Sequence, residues 1–151
     1  MENLNQVREL FNFNVLDLID QVMEESNVQG KIIELNQEQL QDGTDALGQT
    51  IVTIGGSPYR AYTVLIKKAK GQPTNKVTLY DTGDFYETFK VVILKSGYKI
   101  TANFKKDDSS ILDNFSSQYD FLGLDDERLA EFAIKIILPR LEVLIKKRFG
   151  F

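Results

Sequence analysis

The sequence predicts one α+β domain over residues 1–151, with a small, mostly antiparallel sheet on which an N-terminal helix, a short middle helix and a long C-terminal helix pack. Three observations predict this class. Apolar residues recur at helical spacing near both ends, short β-branched runs occupy the middle, and a serine-glycine pair separates two of those runs. A chain of 151 residues can bury one core but divides poorly into two.

The first predicted element is a helix from Leu4 to Met23. Asn3 suits the capping position at its start, and the segment SNVQG at 26–30 suits its end. Its apolar residues recur every three or four positions, at Leu4, Val7, Phe11, Val15, Leu18 and Val22.

Strands are predicted next, because the segments KIIEL at 31–35 and TIVTI at 50–54 are β-branched runs joined by a polar loop. The segment 57–71 predicts the middle helix, with Ser57 as its cap and Gly71 after its end. The segment KVTLY at 76–80 predicts another strand, followed by the turn DTGD.

A hairpin is predicted between residues 87 and 106, with Ser96-Gly97 as its two-residue turn and Lys95 paired with Tyr98. This register puts one set of apolar pairs on the buried face. The pairs are Phe89 with Phe104, Val91 with Ala102, and Ile93 with Ile100.

The last third of the chain begins with a polar stretch, 105–124, which predicts either a helical turn or an extended interaction loop anchored by apolar side chains. A helix then follows from Asp125, with acids in its first turn, bases in its last turn and Gly150 after it. Pro139 falls on the outer face and is expected to bend this helix. The apolar stripe of this helix, which is expected to face the core, consists of Leu129, Phe132, Ala133, Ile136, Ile137, Leu141, Leu144 and Ile145.

Composition narrows the chemistry. The chain has no Cys and no His, which excludes thiolate sites and cysteine nucleophiles and removes the commonest general base. Any catalysis would rely on carboxylates, Lys or Tyr. With 22 acidic and 18 basic residues, the net charge of -4 disfavours nucleic acid as a main partner. The longest apolar runs, such as VVIL, are far shorter than a membrane span, so no membrane partner is expected.

Several polar clusters admit a functional interpretation. The acidic segments at 42–45, 81–84 and 105–110 lack the alternating spacing of a calcium loop, and turn chemistry accounts for them. A metal-dependent nuclease can be assembled on paper from Asp81, Glu87 and Lys90. The lysines at 67–70 and 146–148 are expected to complement helix dipoles on solvated faces, with a basic rim that faces DNA or an acidic neighbour as the competing interpretation. The aromatic residues around Thr82-Gly83 predict core packing, with a subunit interface as the competing interpretation.

The order of three segments supports a family resemblance: a loop with Asn and Gln-Leu-x-x-Gly, a lysine-rich helix, and a Leu-x-x-Thr-Gly-x-Phe turn that leads into a strand. Together these segments resemble the virion morphogenesis, tail completion and head-tail joining proteins of tailed phages and prophages. The resemblance covers about residues 28–149. The matching positions are Asn36, Gln39, Leu40, Gly43, Gly48, Leu79, Thr82, Gly83 and Phe85.

The resemblance implies a structural subunit of the phage neck or tail without enzymatic activity or cofactors. Such a subunit would be assembled in the cytoplasm of the bacterial host and would reside in the virion. Its partners would be identical copies in a ring of six or twelve, together with other neck, portal or tail proteins. Proximity to packaged DNA is compatible with this role, without specific contact to it.

The loops 36–50 and 105–124 are the expected contact regions, because they are long and polar and carry apolar anchors. The candidate contact residues are Asp42, Asp45, Ile111, Leu112, Phe115 and Tyr119. One alternative is a protein-protein adaptor that docks through the N-terminal stripe. A carboxylate metal-dependent enzyme is the third interpretation.

Overall fold

A computed structural model describes residues 4–5, 14–55, 58–95 and 97–150, and it confirms the α+β class. The helices are α1 Val15–Met23, α2 Ser26–Gln41, α3 Ala61–Ala69, α4 Asp84–Glu87, α5 Asp126–Phe132 and α6 Leu138–Phe149. The strands are β1 Lys90–Leu94, β2 Gly97–Thr101, β3 Lys105–Lys106 and β4 Ser109–Ser110. A 3₁₀ turn spans Ile111–Asn114, and a π-helical turn spans Ala133–Ile137. None of the helices in these ranges combines the length and apolar character needed to cross a bilayer.

The prediction of one continuous helix from Leu4 to Met23 is wrong. The backbone of Asn14 is extended, at φ -100 and ψ 122, and its side chain accepts a hydrogen bond from the amide of Leu16 at 3.0 Å. An asparagine in this role starts a new helix, so α1 begins at Val15. The predicted cap Asn3 and the stripe residues Val7 and Phe11 lie outside the described residues.

Helix α2 occupies the segment that was predicted to contain a helix stop at 26–30 and a strand at 31–35, and both predictions are wrong. The physical reason is a row of buried side chains that recurs every three or four residues, with adjacent pairs at 35–36 and 39–40. Its apolar members are joined by two buried polar residues, which hide the helical period from a hydrophobic pattern. The row is Val28, Ile32, Leu35, Asn36, Gln39 and Leu40.

The predicted strands at 50–54 and 76–80 are also wrong, since both segments are irregular apart from a single bridge between Thr44 and Thr50. Their apolar residues are nevertheless buried in the core, where Ile51 and Val77 are both 1% exposed. Burial without a neighbouring strand to pair with leaves these segments as packed irregular chain.

The hairpin of β1 and β2 is confirmed, but its predicted register is wrong by two residues. Val91 faces Ile100 and Ile93 faces Tyr98, while Leu94 faces Gly97. Because side chains alternate with a period of two, a shift of two keeps the same residues on the same face, and the apolar pattern cannot separate the two registers. Ser96, half of the predicted turn, lies outside the described residues.

The middle helix is shorter than predicted. It begins after Arg60, and Gly71 follows it with a φ of 67, which matches the expected stop. The predicted cap Ser57 lies outside the described residues.

The C-terminal helix is confirmed at both ends. The side chain of Asp125 accepts a hydrogen bond from the amide of Arg128 at 2.9 Å, and Gly150 adopts a φ of 76 after the last turn. Pro139 is exposed, as predicted, and helical backbone continues through it after the wider π turn. Of the predicted stripe, Leu129 and Ala133 are exposed instead of buried.

Helix α2 lies at the centre of the fold, where it contacts α1, β1 and α5, and α1 also packs on α6. The core between these elements includes Val22, Ile32, Phe89, Ile100, Phe121, Phe132 and Leu141. Helix α2 therefore connects the first helix, the β1-β2 hairpin and the C-terminal helix.

Candidate functional site

A group of buried polar side chains, here called the polar clamp, ties α2 to the chain that leads into α5. The side-chain amide of Asn36 donates to the carbonyl of Phe121 at 3.1 Å, and its oxygen accepts from the amide of Gly123 at 3.2 Å. Gln39 donates to the carbonyl of Gly123 at 3.0 Å and accepts from the amide of Asp125 at 2.8 Å. Both side chains are fully buried, and their polar atoms are hydrogen-bonded to the backbone of a segment more than 80 residues away.

Asp45 is the third member of the polar clamp and is also fully buried. One oxygen of its carboxylate accepts from the amides of Leu47 and Gln49, at 3.1 and 2.7 Å, and the other accepts from the amide of Asp120 at 3.0 Å. A carboxylate fits this place because it only accepts hydrogen bonds. Asp45 therefore lies inside the loop that it organises, and it is not available for the contact with another subunit that the sequence suggested.

The structure brings together several of the positions that carry the family resemblance. Asn36, Gln39 and Leu40 lie in α2 instead of a loop, and Gly43 follows the C-cap residue Asp42. Gly43 has a φ of 80, and a Cβ placed on it would lie 3.0 Å from the Cβ of Lys76. Gly48 has a φ of 73 at the far end of the same loop, with open space around it. The first four of these residues are therefore buried where α2 meets the loop that follows it, whereas Gly48 is exposed.

The turn at Thr82-Gly83 is a second and separate group. Gly83 has a φ of 101 and precedes α4, and a Cβ there would lie 3.2 Å from the hydroxyl of Tyr80. Phe85 is buried behind it, with its ring 5.1 Å from that of Phe89. Leu79, before the turn, has a φ of 53, so the chain leaves extended geometry there. The aromatic rings pack around a corner of the chain.

Asp81 lies at the same corner and binds two lysines. Its carboxylate pairs with Lys70 and with Lys106, the second at 2.9 Å. The hydrogen bonds from Lys70 and then Lys106 lower the pKa of Asp81 to about 2. The carboxylate thus joins the end of α3 to the β3-β4 hairpin. The nuclease hypothesis grouped Asp81 with Lys90, whereas its ion-pair partners are Lys70 and Lys106.

Lys67 is buried, which contradicts its assignment to a solvated face. Its ammonium donates to the carbonyl of Tyr80 at 3.0 Å and to the side chain of Gln72 at 3.3 Å, and it lies 4.8 Å from the centre of the Tyr59 ring. Burial lowers the pKa of Lys67. Helix α3 is therefore anchored through a cation and its polar partners.

The opposite side of α3 carries apolar residues that face solvent. We call it the α3 stripe, and it consists of Tyr62, Leu65, Ile66 and Ala69. Tyr62 is 75% exposed and Leu65 is 66% exposed. At 3.6 residues per turn the four side chains fall within about 100° of arc, with Lys68 and Lys70 at its two edges. An amphipathic helix normally buries its apolar face and exposes its charged one. Helix α3 instead exposes the apolar stripe and buries Lys67 on the other side.

An acidic groove of about 770 Å³ lies between α2, the loop after it and α5. Its acidic side chains are Glu38, Asp42, Asp125, Asp126, Glu127 and Glu131. Arg128 is the one base among its lining residues, and it is paired with Asp125 at 2.7 Å and with Asp42. Leu47, 64% exposed, adds an apolar side chain to the lining. The groove therefore presents more negative charge than its own arginine neutralises.

The second expected contact region, 105–124, divides into buried and exposed parts. Ile111, Phe115 and Tyr119 are half-buried and pack on the core, and the hydroxyl of Tyr119 accepts a hydrogen bond from the amide of Val52 at 3.3 Å. Leu112 is 44% exposed. The 3₁₀ turn after Ser110 supplies the helical turn that was one of the two predictions for this stretch.

Within the described ranges, no group of three or more acidic side chains is arranged to hold a metal ion. The groups with perturbed pKa values described above are engaged in contacts between segments of the fold. Comparison of the chain with protein-family models, with curated proteins and with solved structures found no match.

Sequence reasoning missed the α3 stripe and predicted only part of the acidic groove, since Asp42 lies in the expected contact region 36–50. The spacing at 62, 65, 66 and 69 is visible in the sequence, but it predicts only which residues share a face, and the burial of Lys67 decides which face turns outward. The acidic groove joins residues from positions 38–48 and 125–131, which no local pattern connects.

Proposed function

We propose that this protein is a structural subunit of the neck or tail of a tailed phage or prophage, which forms a ring with identical copies in head-tail joining or tail completion. The observation that carries the proposal is the α3 stripe. An apolar helix face that turns to solvent while the opposite face anchors through a buried lysine is suited to protein-protein contact.

The polar clamp supports a structural role as well. Asn36, Gln39 and Asp45 use their polar atoms on backbone groups of the loop after α2 and of the segment 120–125. Side chains committed in this way stabilise the joint between segments. A subunit that acts by shape requires such joints more than it requires reactive groups.

The test is the mass of the purified protein, measured by light scattering over a wide range of concentrations. We expect a closed species of six or twelve copies. A protein that stays monomeric both alone and after mixing with portal or tail components contradicts the proposal. A monomer that binds one other protein without self-association is the result expected of an adaptor.

The same samples test the enzymatic alternative. A metal that binds only the folded state raises its stability, so a carboxylate site would give a rise in melting temperature at millimolar Mg²⁺ or Mn²⁺. We expect no metal-specific rise beyond that produced by the same ionic strength of NaCl.

A further inference from the structure

We propose that the α3 stripe of one copy docks against the acidic groove of the next copy, so that the two surfaces form the repeated seam of the ring. This inference rests on the proposed function and names its interface. The stripe provides Leu65 and Tyr62, both exposed for most of their surface, and the groove provides the exposed Leu47 as an apolar contact.

Charge complementarity selects the groove as the receiving surface. Lys68 borders the stripe on one side, and on the other side Lys70 and Lys106 share the single carboxylate of Asp81, which leaves one net positive charge there. The groove is lined by six acids, and Arg128 in the lining and Lys135, which pairs with Glu131 at 2.8 Å, oppose them, so it keeps a net negative charge. Opposite charges at the rim of an interface guide association and fix its register.

The same charges argue for a head-to-tail arrangement of copies. Two stripes that met face to face would bring the lysines at their edges together, and two grooves that met would oppose their acids. Like charges across an interface are unfavourable. The stripe and the groove share no residue, so one copy can use both at once, and a contact between two different surfaces generates a ring when its rotation closes.

A cysteine cross-link tests the pairing directly, because the natural chain has no cysteine. The variant with both Leu47→Cys and Leu65→Cys is expected to form disulfide-linked dimers and a ladder of higher species under mild oxidation. The single variants are the matched controls. A Leu65→Cys chain that dimerises as readily as the double variant indicates a symmetric contact and overturns the proposal.

Charge reversal provides a second and independent readout. Lys68→Glu and Glu127→Lys are each expected to weaken association by about tenfold, and their combination is expected to restore much of it. Lys147→Glu, on the exposed last turn of α6, is the matched control and should leave the mass unchanged. Independent, additive effects without restoration contradict the pairing of these two surfaces.

The outcomes separate this inference from the proposed function. A ring that forms in the wild type, survives both charge reversals and gives no 47–65 cross-link keeps the function and overturns the seam. A chain that cross-links through 47 and 65 into open polymers without a closed species keeps the seam and overturns the ring. A chain that gives no cross-link and stays monomeric both alone and after mixing with portal or tail components overturns both. A monomer that instead sediments with phosphatidylglycerol vesicles through the α3 stripe assigns the stripe to lipid, which also overturns the seam.

Discussion

Gln39 and Asp125 are joined by a hydrogen bond of 2.8 Å, in which the backbone amide of Asp125 donates to the side-chain oxygen of Gln39. Asp125 is the residue that caps α5, so the bond fixes the start of the C-terminal helix against the end of α2. One buried amide side chain thus links two helices that are distant in the sequence, beside the bonds of Asn36 and the Arg128–Asp42 pair.

Replacing Gln39 with Leu is expected to lower the free energy of unfolding by about 2–4 kcal/mol, because the carbonyl of Gly123 and the amide of Asp125 would lose their partner. Urea denaturation measures the change. Gln41→Leu makes the same replacement two residues later at an exposed position and should change stability by less than about 0.5 kcal/mol. Equal effects of the two variants would show that the buried bonds contribute little.

Replacing Asp45 with Asn is expected to lower the free energy of unfolding by about 1–3 kcal/mol. The carboxylate accepts from backbone amides through both oxygens, and an amide side chain turns a donor toward one of them. Asp108→Asn, in an exposed turn, is the matched control. The measurement is urea denaturation at pH 7, and an unchanged midpoint for Asp45→Asn would contradict the role assigned to the carboxylate.

The same buried polar residues explain why the sequence misled us in this region. Ile32 and Ile33 are β-branched neighbours that favour a strand, and Asn36 and Gln39 appear as a polar loop. Their burial is a tertiary effect, since their partners lie at residues 121–125. The C-terminal helix, by contrast, could be predicted because Asp125 and Gly150 mark its ends by local chemistry.

Gly43→Ala is expected to destabilise the protein by more than Gly48→Ala. Both glycines have a positive φ, at 80 and 73, and this costs an alanine about 1–2 kcal/mol in either place. Only at Gly43 would the new methyl group also lie 3.0 Å from the Cβ of Lys76. Thermal denaturation of the pair isolates the steric part, and a larger loss for Gly48→Ala would contradict the packing of the loop on Lys76.

The two proposed contact surfaces show a further limit of sequence reasoning. The pattern of α3 identifies its apolar residues, but hydrophobic periodicity carries the assumption that such a face points inward. In α3 that assumption fails, because the bonds of Lys67 to Tyr80 and Gln72 turn the charged face inward. The partners of a buried lysine are set by the tertiary fold, so the orientation of α3 required the structure.

Asp81 is expected to give a small acid-dependent contribution to stability. The two lysines lower its pKa to about 2 from an ordinary value of 3.8, so its contribution is fully present above about pH 5 and is lost as the pH falls through 2. Because the side chain is 45% exposed, the contribution is under about 1 kcal/mol. The stability difference between wild type and Asp81→Asn should shrink between pH 5 and pH 2. A stability difference that grows on acidification would contradict this assignment. At pH 7, 1 M NaCl should diminish the difference, because salt screens exposed ion pairs.

Gly30→Ala is expected to stabilise the protein by about 0.5–1 kcal/mol, because Gly30 lies within α2 with no atom near a new methyl group, and alanine is the better helix former. Gly71→Ala is the control, since the φ of 67 at Gly71 makes the same replacement unfavourable. Urea denaturation of both variants should give changes of opposite sign. If 26–30 were instead a turn before a strand, Gly30→Ala would remove a favourable turn residue and destabilise the protein. A destabilised variant would therefore contradict the placement of α2. The polar clamp and the acidic groove both depend on that placement.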